Sequence, residues 1–343
     1  MAEPGHLEGR PPTTVVLGAS GFVGSVVSGL LARRPGRLRL VARRACAAPE
    51  GAVATVETLT GDLTDPATVA RAVTGADVVL HLVKHTGDWR LPEERPDTTE
   101  PVNVGVMRSV LWELSARPSR KELPPPLVVF AGACTQVGRP PEQPMDGTEP
   151  DHPETEYDHQ KQAAESLLLE ATRAGSVRGI SLRLATVFGQ SPLSAVPDVG
   201  VVVTMIHKAL AGEPLTMWHD GTVARDITFV EDVGRAFVAA IDHPDRLVGR
   251  HWMIGSGRHD LLGEVFRTVA SVVAAATGRP PVPVVSVSPP STAVVTDFLD
   301  VSIDTAPFAE ATGWSARIPL REGVERTAEA VLSAAQRSGR LRP

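Results

Sequence analysis

Tyr157 is the only tyrosine in the chain, and Lys161 follows it by four residues. On a helix that spacing places both side chains on one face. A phenol exchanges protons near neutral pH when its pKa is brought down, and a neighbouring ammonium does so by favouring the phenolate. The pair could therefore give a proton to a carbonyl oxygen, although the spacing alone also fits a surface contact on a helix. A second group of residues lies near the N-terminus. The apolar run Val15-Val16-Leu17 stops at Gly18-Ala19-Ser20-Gly21-Phe22-Val23-Gly24, and periodic apolar residues resume through Leu31. This reads as strand, tight turn, helix. Gly18 can take a backbone angle other residues resist, Gly21 lets a diphosphate approach the main chain, and Gly24 lets the helix pack closely on the strand. The amides at the helix start would then face an anion. An ordinary strand-to-helix turn has the same outline, but a second apolar strand, Leu38 to Ala42, follows within the roughly 30 residues of a dinucleotide-binding unit.

Arg43 and Arg44 stand where that second strand ends, the place where such a unit meets the adenosine ribose. An acidic residue there would accept from a free hydroxyl, whereas two guanidinium groups match a 2′-phosphate and imply NADP(H). The competing interpretation is a solvated arginine pair. Asp62, in Gly61-Asp62-Leu63, is placed to meet the adenine amine, and Asp65 before Pro66 reads as a helix cap.

The elements that must position these residues alternate between buried strand and helix. Ala76 to Val83, Leu127 to Ala131 and Gly179 to Ala185 read as strands, with helices from Pro66 to Val73, Val102 to Ala116 and Glu156 to Arg173. The alternation predicts a doubly wound, Rossmann-type parallel sheet with helices on both faces, and ligands at the carboxyl ends of its strands. Lys84 to Pro101 and Arg139 to Thr155 are polar, proline-bearing loops, the first carrying His85, Thr86, Trp89 and Arg90. After Gly189 the alternation lapses until Pro214, Asp232 is expected to begin or cap a helix to Ile241, and Pro280 to Pro290 reads as extended chain. The dinucleotide part is expected to span 1–188, with 225–255 returning to it. A smaller C-terminal α/β lobe would comprise 189–224 and 256–343.

A chain of 343 residues with 42% apolar content can bury a large core. Its formal charge of −6 provides no basic footprint for nucleic acid. Cys46 and Cys134 are the only cysteines, too few for a disulfide scaffold or a cysteine-built zinc site, and they fit a reducing cytoplasm. Cys134 is expected to be packed and unreactive. No signal core or membrane-length apolar stretch is visible, and a cytoplasmic location without membrane or metal is expected.

Gly18-Ala-Ser-Gly21-Phe-Val-Gly24, Gly61-Asp62-Leu63, His81-Leu82-Val83, Tyr157-Asp-His-Gln-Lys161, Arg183-Leu-Ala-Thr-Val-Phe-Gly189 and Arg225-Asp-Ile-Thr-Phe-Val-Glu-Asp-Val233 occur in the order seen in extended short-chain dehydrogenases/reductases. Through Arg225-Asp226, Thr312-Gly313-Trp314 and Leu320-Arg-Glu-Gly323 the chain resembles their nucleotide-sugar epimerase/dehydratase branch. Within that branch it looks most like 4-ketoreductases that finish deoxysugar nucleotides, through Phe130-Ala-Gly-Ala-Cys-Thr-Gln-Val-Gly138 and the Trp89-Arg90 loop.

The resemblance implies Tyr157 as acid and Lys161 as its electrostatic partner and ribose ligand. It places the cofactor along the glycine turn, including Ser20, Phe22 and Val23, and against Leu63, Leu82, Val83, Lys84 and Asn103. The substrate, a nucleotide-diphosphate sugar, would meet His85, Trp89, Arg90 and Thr135, with Arg225 reaching the diphosphate. The family also carries a Ser or Thr that orients the carbonyl, and aligning Val137-Gly138 on its usual Tyr-Gly puts Ala133 there. Thr135 is the nearest hydroxyl and is assigned in its stead. Dehydratases of the branch carry an Asp-Glu pair where this chain has Thr135-Gln136, and enzymes that recycle a bound cofactor mostly use NAD. An NADPH-dependent reductase is therefore expected ahead of an epimerase or dehydratase, with a non-catalytic NADP-binding protein as the remaining alternative. The resemblance further implies a homodimer through the Val102–Ala116 and Glu156–Arg173 helices.

Overall fold

The computed structural model describes residues 11–85, 95–116, 123–140, 142–191, 194, 200–218, 220–291, 293 and 295–337. Its first half runs β1 (Thr13–Leu17), α1 (Phe22–Ala32), β2 (Arg37–Ala42), β3 (Thr55–Thr60), α2 (Pro66–Val73) and β4 (Val78–His81). It continues with α3 (Pro96–Glu100), α4 (Val106–Ser115), β5 (Leu127–Ala133), α5 (Glu156–Arg173) and β6 (Arg178–Leu184). The second half holds β7 (Thr186–Phe188), α6 (Val201–Ala211), β8 (Leu215–Trp218), β9 (Ala224–Arg225), β10 (Ile227–Phe229), α7 (Val230–Asp242) and α8 (Pro244–Leu247). It closes with β11 (His251–Ile254), β12 (Asp260–Leu261), α9 (Leu262–Thr277), β13 (Val284–Val287), α10 (Ala306–Thr312) and α11 (Leu320–Arg337).

Seven parallel strands form one sheet in the order β11-β6-β5-β4-β1-β2-β3. Its register aligns Leu40, Val16, Leu80, Val129 and Ile180 in one row, which packs with Val27 and Leu31 of α1 and Val233 and Phe237 of α7. The next row, with Val41, Leu17 and Phe130, faces the other way, toward Val69 of α2, Met107 and Val110 of α4 and Leu168 of α5. Successive side chains of a strand point to opposite faces, so strands covered on both sides must be apolar throughout. Val15, Val16 and Leu17 all have 0% exposure, which is why β1 reads as an unbroken apolar run. β3 is an edge strand and largely exposed, which explains why its sequence, TVETLT, carries little apolar signal.

In the second half, α6, α9 and α11 pack Met205, Ile206, Phe266, Val269 and Val324 around Phe188 and Leu215. The Gln190 to Pro214 stretch thus contains a helix, α6, and the extended Pro280–Pro290 segment supplies β13, which pairs with β8 in parallel.

Two elements differ from the sequence expectation. The helix predicted from Val102 begins at Pro96, because prolines at its first position and at Pro101 are accommodated: Pro96 needs no amide partner at a helix start, and a π-helical turn, Pro101–Gly105, takes up the interruption before α4. Asp232 does not cap α7. Phe229 holds the cap position, while the Asp232 carboxylate, in the first turn, accepts from the amides of Arg317 and Ile318, each at 3.0 Å. Trp314 Nε1 donates to the Asp232 carbonyl at 3.1 Å, so this residue ties down the chain that leads into α11.

Candidate active site

The glycine turn is shaped by close backbone approach. Gly18 has φ +87°, and a Cβ there would lie 3.0 Å from the Leu82 carbonyl oxygen at the end of β4. A Cβ on Gly24 would sit 2.1 Å from the Gly18 oxygen, and one on Gly21 would sit 3.1 Å from it. Gly18 and Ala19 both donate to the Val41 carbonyl, at 2.9 and 3.0 Å, binding the turn to the end of β2. Gly21 caps α1 without a capping side chain and with no acidic residue in the first turn. That combination leaves the positive end of the helix dipole available to an anion, with Ser20, Phe22 and Val23 half-buried around it.

Beyond β2, Arg43 and Arg44 are exposed. The charge of Arg43 reaches both Asp62, whose carboxyl it helps hold down, and His85, which it helps lower. The larger cause at Asp62 is Thr64, whose amide and hydroxyl both donate to Oδ1 at 2.9 Å. Leu63 is buried behind it, and Asp65 caps α2 by accepting from Ala67 and Thr68. Leu82 and Val83 continue half-buried from β4.

Across the sheet edge, Thr155 caps α5 and Tyr157 lies in its first turn. Lys161 is buried, and its Nζ donates to the Ala131 carbonyl at 2.7 Å and lies 5.8 Å from the Tyr157 ring centroid. The helical spacing therefore does bring the two together. Their ionisation differs from the sequence expectation of a lowered phenol. Burial first, then the Asp158 carboxylate, pushes the phenol above its ordinary value. Lys161 is itself pushed down to about 7, by burial first and then by Lys84, with Glu165 opposing. Desolvation of both groups outweighs their mutual effect.

Ala133 ends β5 with its amide donating to Gln136 Oε1 at 3.0 Å, and a 3₁₀ turn, Cys134–Val137, carries Thr135. The Thr135 hydroxyl gives its proton to Asp158 Oδ1, while Thr155 donates to Oδ2 at 2.6 Å. Thr135 is thus tied to the residue that follows Tyr157, with its hydrogen committed to a buried carboxylate. Cys134 is buried, and desolvation pushes its thiol up to about 12, as for a packed and unreactive cysteine.

Asn103, on the π-helical turn, is also buried. Its Oδ1 accepts from the His85 amide at 2.8 Å, and its Nδ2 donates to Gln160 Oε1 at 2.7 Å. Gln160 Nε2 in turn donates to Thr99 at 3.0 Å and Glu156 at 3.1 Å. This clamp between the β4 loop and α5 was missed by sequence reasoning, as was the Asp158 carboxylate. The sequence carries no signal for it, since Asp158-His159-Gln160 reads as a solvated stretch although Asp158 and Gln160 are buried.

Arg225 belongs to β9. Its guanidinium donates to the carbonyls of Thr296, at 2.7 Å, and Ala224, at 3.3 Å. Neither neighbouring carboxylate holds it: Asp226 accepts from Ser256 and Gly257 amides at 2.6 and 2.9 Å, and Glu231 pairs with Arg326 at 3.0 Å. Trp89 and Arg90 lie outside the described residues. Among the described residues there is no metal-binding cluster of His, Cys, Asp and Glu, and no helix is long and apolar enough to cross a membrane.

Residues 14–255 match the NAD dependent epimerase/dehydratase family. The UDP-glucose 4-epimerase of Mycolicibacterium smegmatis is 27% identical over 256 residues, 74% of this chain and 75% of that protein. A Methanocaldococcus jannaschii relative is 26% identical over 202 residues, 58% of this chain, and the match spans 61% of the relative's length. Among solved structures, MoeE5 in complex with UDP-glucose and NAD superposes with a TM-score of 0.76 at 25% identity, covering 94% of this chain and 99% of that one. With a matching region longer than half the chain and a glycine turn, sheet order and Tyr-Lys helix to go with it, this protein belongs to the NAD dependent epimerase/dehydratase family.

Proposed function

We infer that the chain is an NADPH-dependent reductase of the 4-keto group of a nucleotide-linked 4-keto-6-deoxyhexose, with dTDP as the nucleotide carrier. The observation that carries this reading is the exposed Arg43-Arg44 pair at the end of β2, where charge matched to a 2′-phosphate replaces an acidic ribose ligand. The turn fits the cofactor's diphosphate, since a Cβ at Gly24 would collide with Gly18 and the start of α1 bears no competing carboxylate. When bound, NADPH would supply the hydride. Arg43, Arg44 and Asp62 would hold its adenosine end, with Leu63, Leu82, Val83 and Asn103 alongside.

The protein's own part is proton transfer and positioning. Tyr157 gives its phenolic proton to the carbonyl oxygen as that oxygen becomes an alkoxide. Its raised pKa keeps the phenol protonated and ready to donate in the resting site. Lys161, fixed by Ala131, supplies positive charge to the phenolate that forms. Because the Thr135 proton is held by Asp158, its oxygen is available to accept from a sugar hydroxyl. His85 and Arg225 would meet the substrate, Arg225 through its diphosphate, and the lobe comprising 189–224 and 256–343 would enclose it. Cytoplasmic NADPH fits this role.

Purified protein mixed with NADPH and a dTDP-4-keto-6-deoxysugar is expected to consume the nicotinamide absorbance. A second reading is favoured by the comparisons, in which relatives are named as UDP-sugar 4-epimerases. Interconversion of UDP-glucose with its C4 epimer, without net cofactor consumption and without reduction of the keto sugar, would replace the reductase reading with that one. We extend the proposal to a homodimer through α4 and α5, where Trp112 is 74% exposed on α4. Sedimentation at micromolar concentration is expected to show twice the chain mass.

A further inference from the structure

The chain contains four lysines, Lys84, Lys121, Lys161 and Lys208, and two of them face its single tyrosine. Nζ of Lys84, on the loop leaving β4, and Nζ of Lys161, one turn along α5 from Tyr157, each lie 5.8 Å from the Tyr157 ring centroid. Their surroundings differ. Lys161 is buried and bonded to the Ala131 carbonyl, whereas Lys84 is exposed, where an ammonium is a strongly hydrated point charge.

We propose that Lys84 is a positioning residue of the proton-transfer site: its ammonium lies at the same Tyr157 ring as that of Lys161 and is a second positive charge acting on both groups. The proposal rests on Tyr157 being the proton donor. Burial first, and then the charge of Lys84, push Lys161 down to about 7, so the second cation bears on the state of the first. Lys84 also acts on Lys161 directly, as a like charge that favours its neutral form.

The other ionisable groups around the pair do not supply this charge. Asp158 and Glu165, from α5, are negative and bound to Thr135 and Thr155 and to Ser181 and Arg183 respectively. Cys134, from the turn after β5, is pushed up to about 12 by burial, and His81, from β4, is pushed down to about 3 by burial. His85, next to Lys84, is lowered by burial and by the charges of Arg43 and Lys84. Each of these groups is therefore neutral or negative near neutral pH, which among the described residues leaves the two lysines as the cations seen against the ring.

The composition makes the test direct, because a single tyrosine and four lysines give few signals when labelled selectively. Full-length protein carrying [13Cε]lysine and [13Cζ]tyrosine would be titrated by NMR without substrate, with Lys161→Met assigning the Lys161 signal. Removing the like charge with Lys84→Met, or with Lys84→Gln as a second neutral variant, is expected to raise the Lys161 midpoint by about half to one pH unit and to move the Tyr157 signal. Lys84→Arg is expected to keep both at their wild-type positions. An unchanged Lys161 midpoint in the neutral variants overturns the proposal, and so does an arginine variant that shifts as far as methionine, since the effect would then come from packing. Failure of the NADPH assay leaves these titrations readable, so a failure of the reductase reading is told apart from a failure of this proposal.

Discussion

At the carboxyl end of β5 the functional groups are buried and interlocked, whereas at the carboxyl end of β2 they stand in solvent. Lys161 is 4% exposed and Asp158 2%, with Lys161 bonded to the Ala131 carbonyl and Asp158 to the Thr135 hydroxyl. Arg43 and Arg44 are exposed on a loop. Burial strengthens electrostatic effects and removes the option of water as a substitute partner, so the β5 end is where ionisation is set by the protein. The exposed end can change charge without disturbing the fold. In this family member, the two ends would accordingly separate chemistry from choice of cofactor.

Tyr157→Phe is the most severe break of that comparison. It keeps the ring and its packing but removes the proton, so turnover should fall about 10²- to 10⁴-fold while NADPH binding and the melting temperature are unchanged. Steady-state rates with a 4-keto sugar nucleotide, alongside cofactor titration, check this, and a wild-type rate across neutral pH would refute the mechanism. Lys161→Met should lower both turnover and NADPH affinity, because under the proposed mechanism the same ammonium would serve the phenol and the ribose.

At the opposite end, replacing Arg43 and Arg44 together by alanine should weaken NADPH about 10- to 100-fold, the loss of charge-assisted contacts to a phosphate, and leave NADH binding nearly unaltered. Fluorescence titration of both cofactors measures it. Equal binding of NADPH and NADH by the wild type would mean that the arginine pair is only solvated surface.

The smallest effect sharpens the contrast within the buried end itself. Thr135→Val removes one donor from the buried Asp158 carboxylate and should destabilise the protein by about 1–3 kcal/mol, read as a lower denaturation midpoint. If its oxygen also accepts from the sugar, KM for the keto sugar should rise while the NADPH affinity stays constant. A variant as stable as the wild type would show that Asp158 finds water in place of Thr135.

Much of the fold is written locally. The glycine turn, the buried strands and the limits of α5 at Glu156 and Arg173 follow from apolar runs, period and caps that lie within a few residues of one another. β3 was not singled out because an edge strand needs little apolar patterning, and α6 was overlooked in a segment flanked by prolines and glycines. Sequence alone also brought Tyr157 and Lys161 together, since helical geometry makes a spacing of four a contact.

What those groups do to one another was decided only in three dimensions. Thr135 meets Asp158 across 23 positions, and Asp232 meets Ile318 across 86, so neither partner is legible from the residues beside it. Lys84 reaches the Tyr157 ring from the loop that leaves β4, far back in the chain from the helix that carries the tyrosine. The Tyr157 and Lys161 pKa values likewise answer first to burial, a property of the assembled sheet and helices that no local spacing encodes.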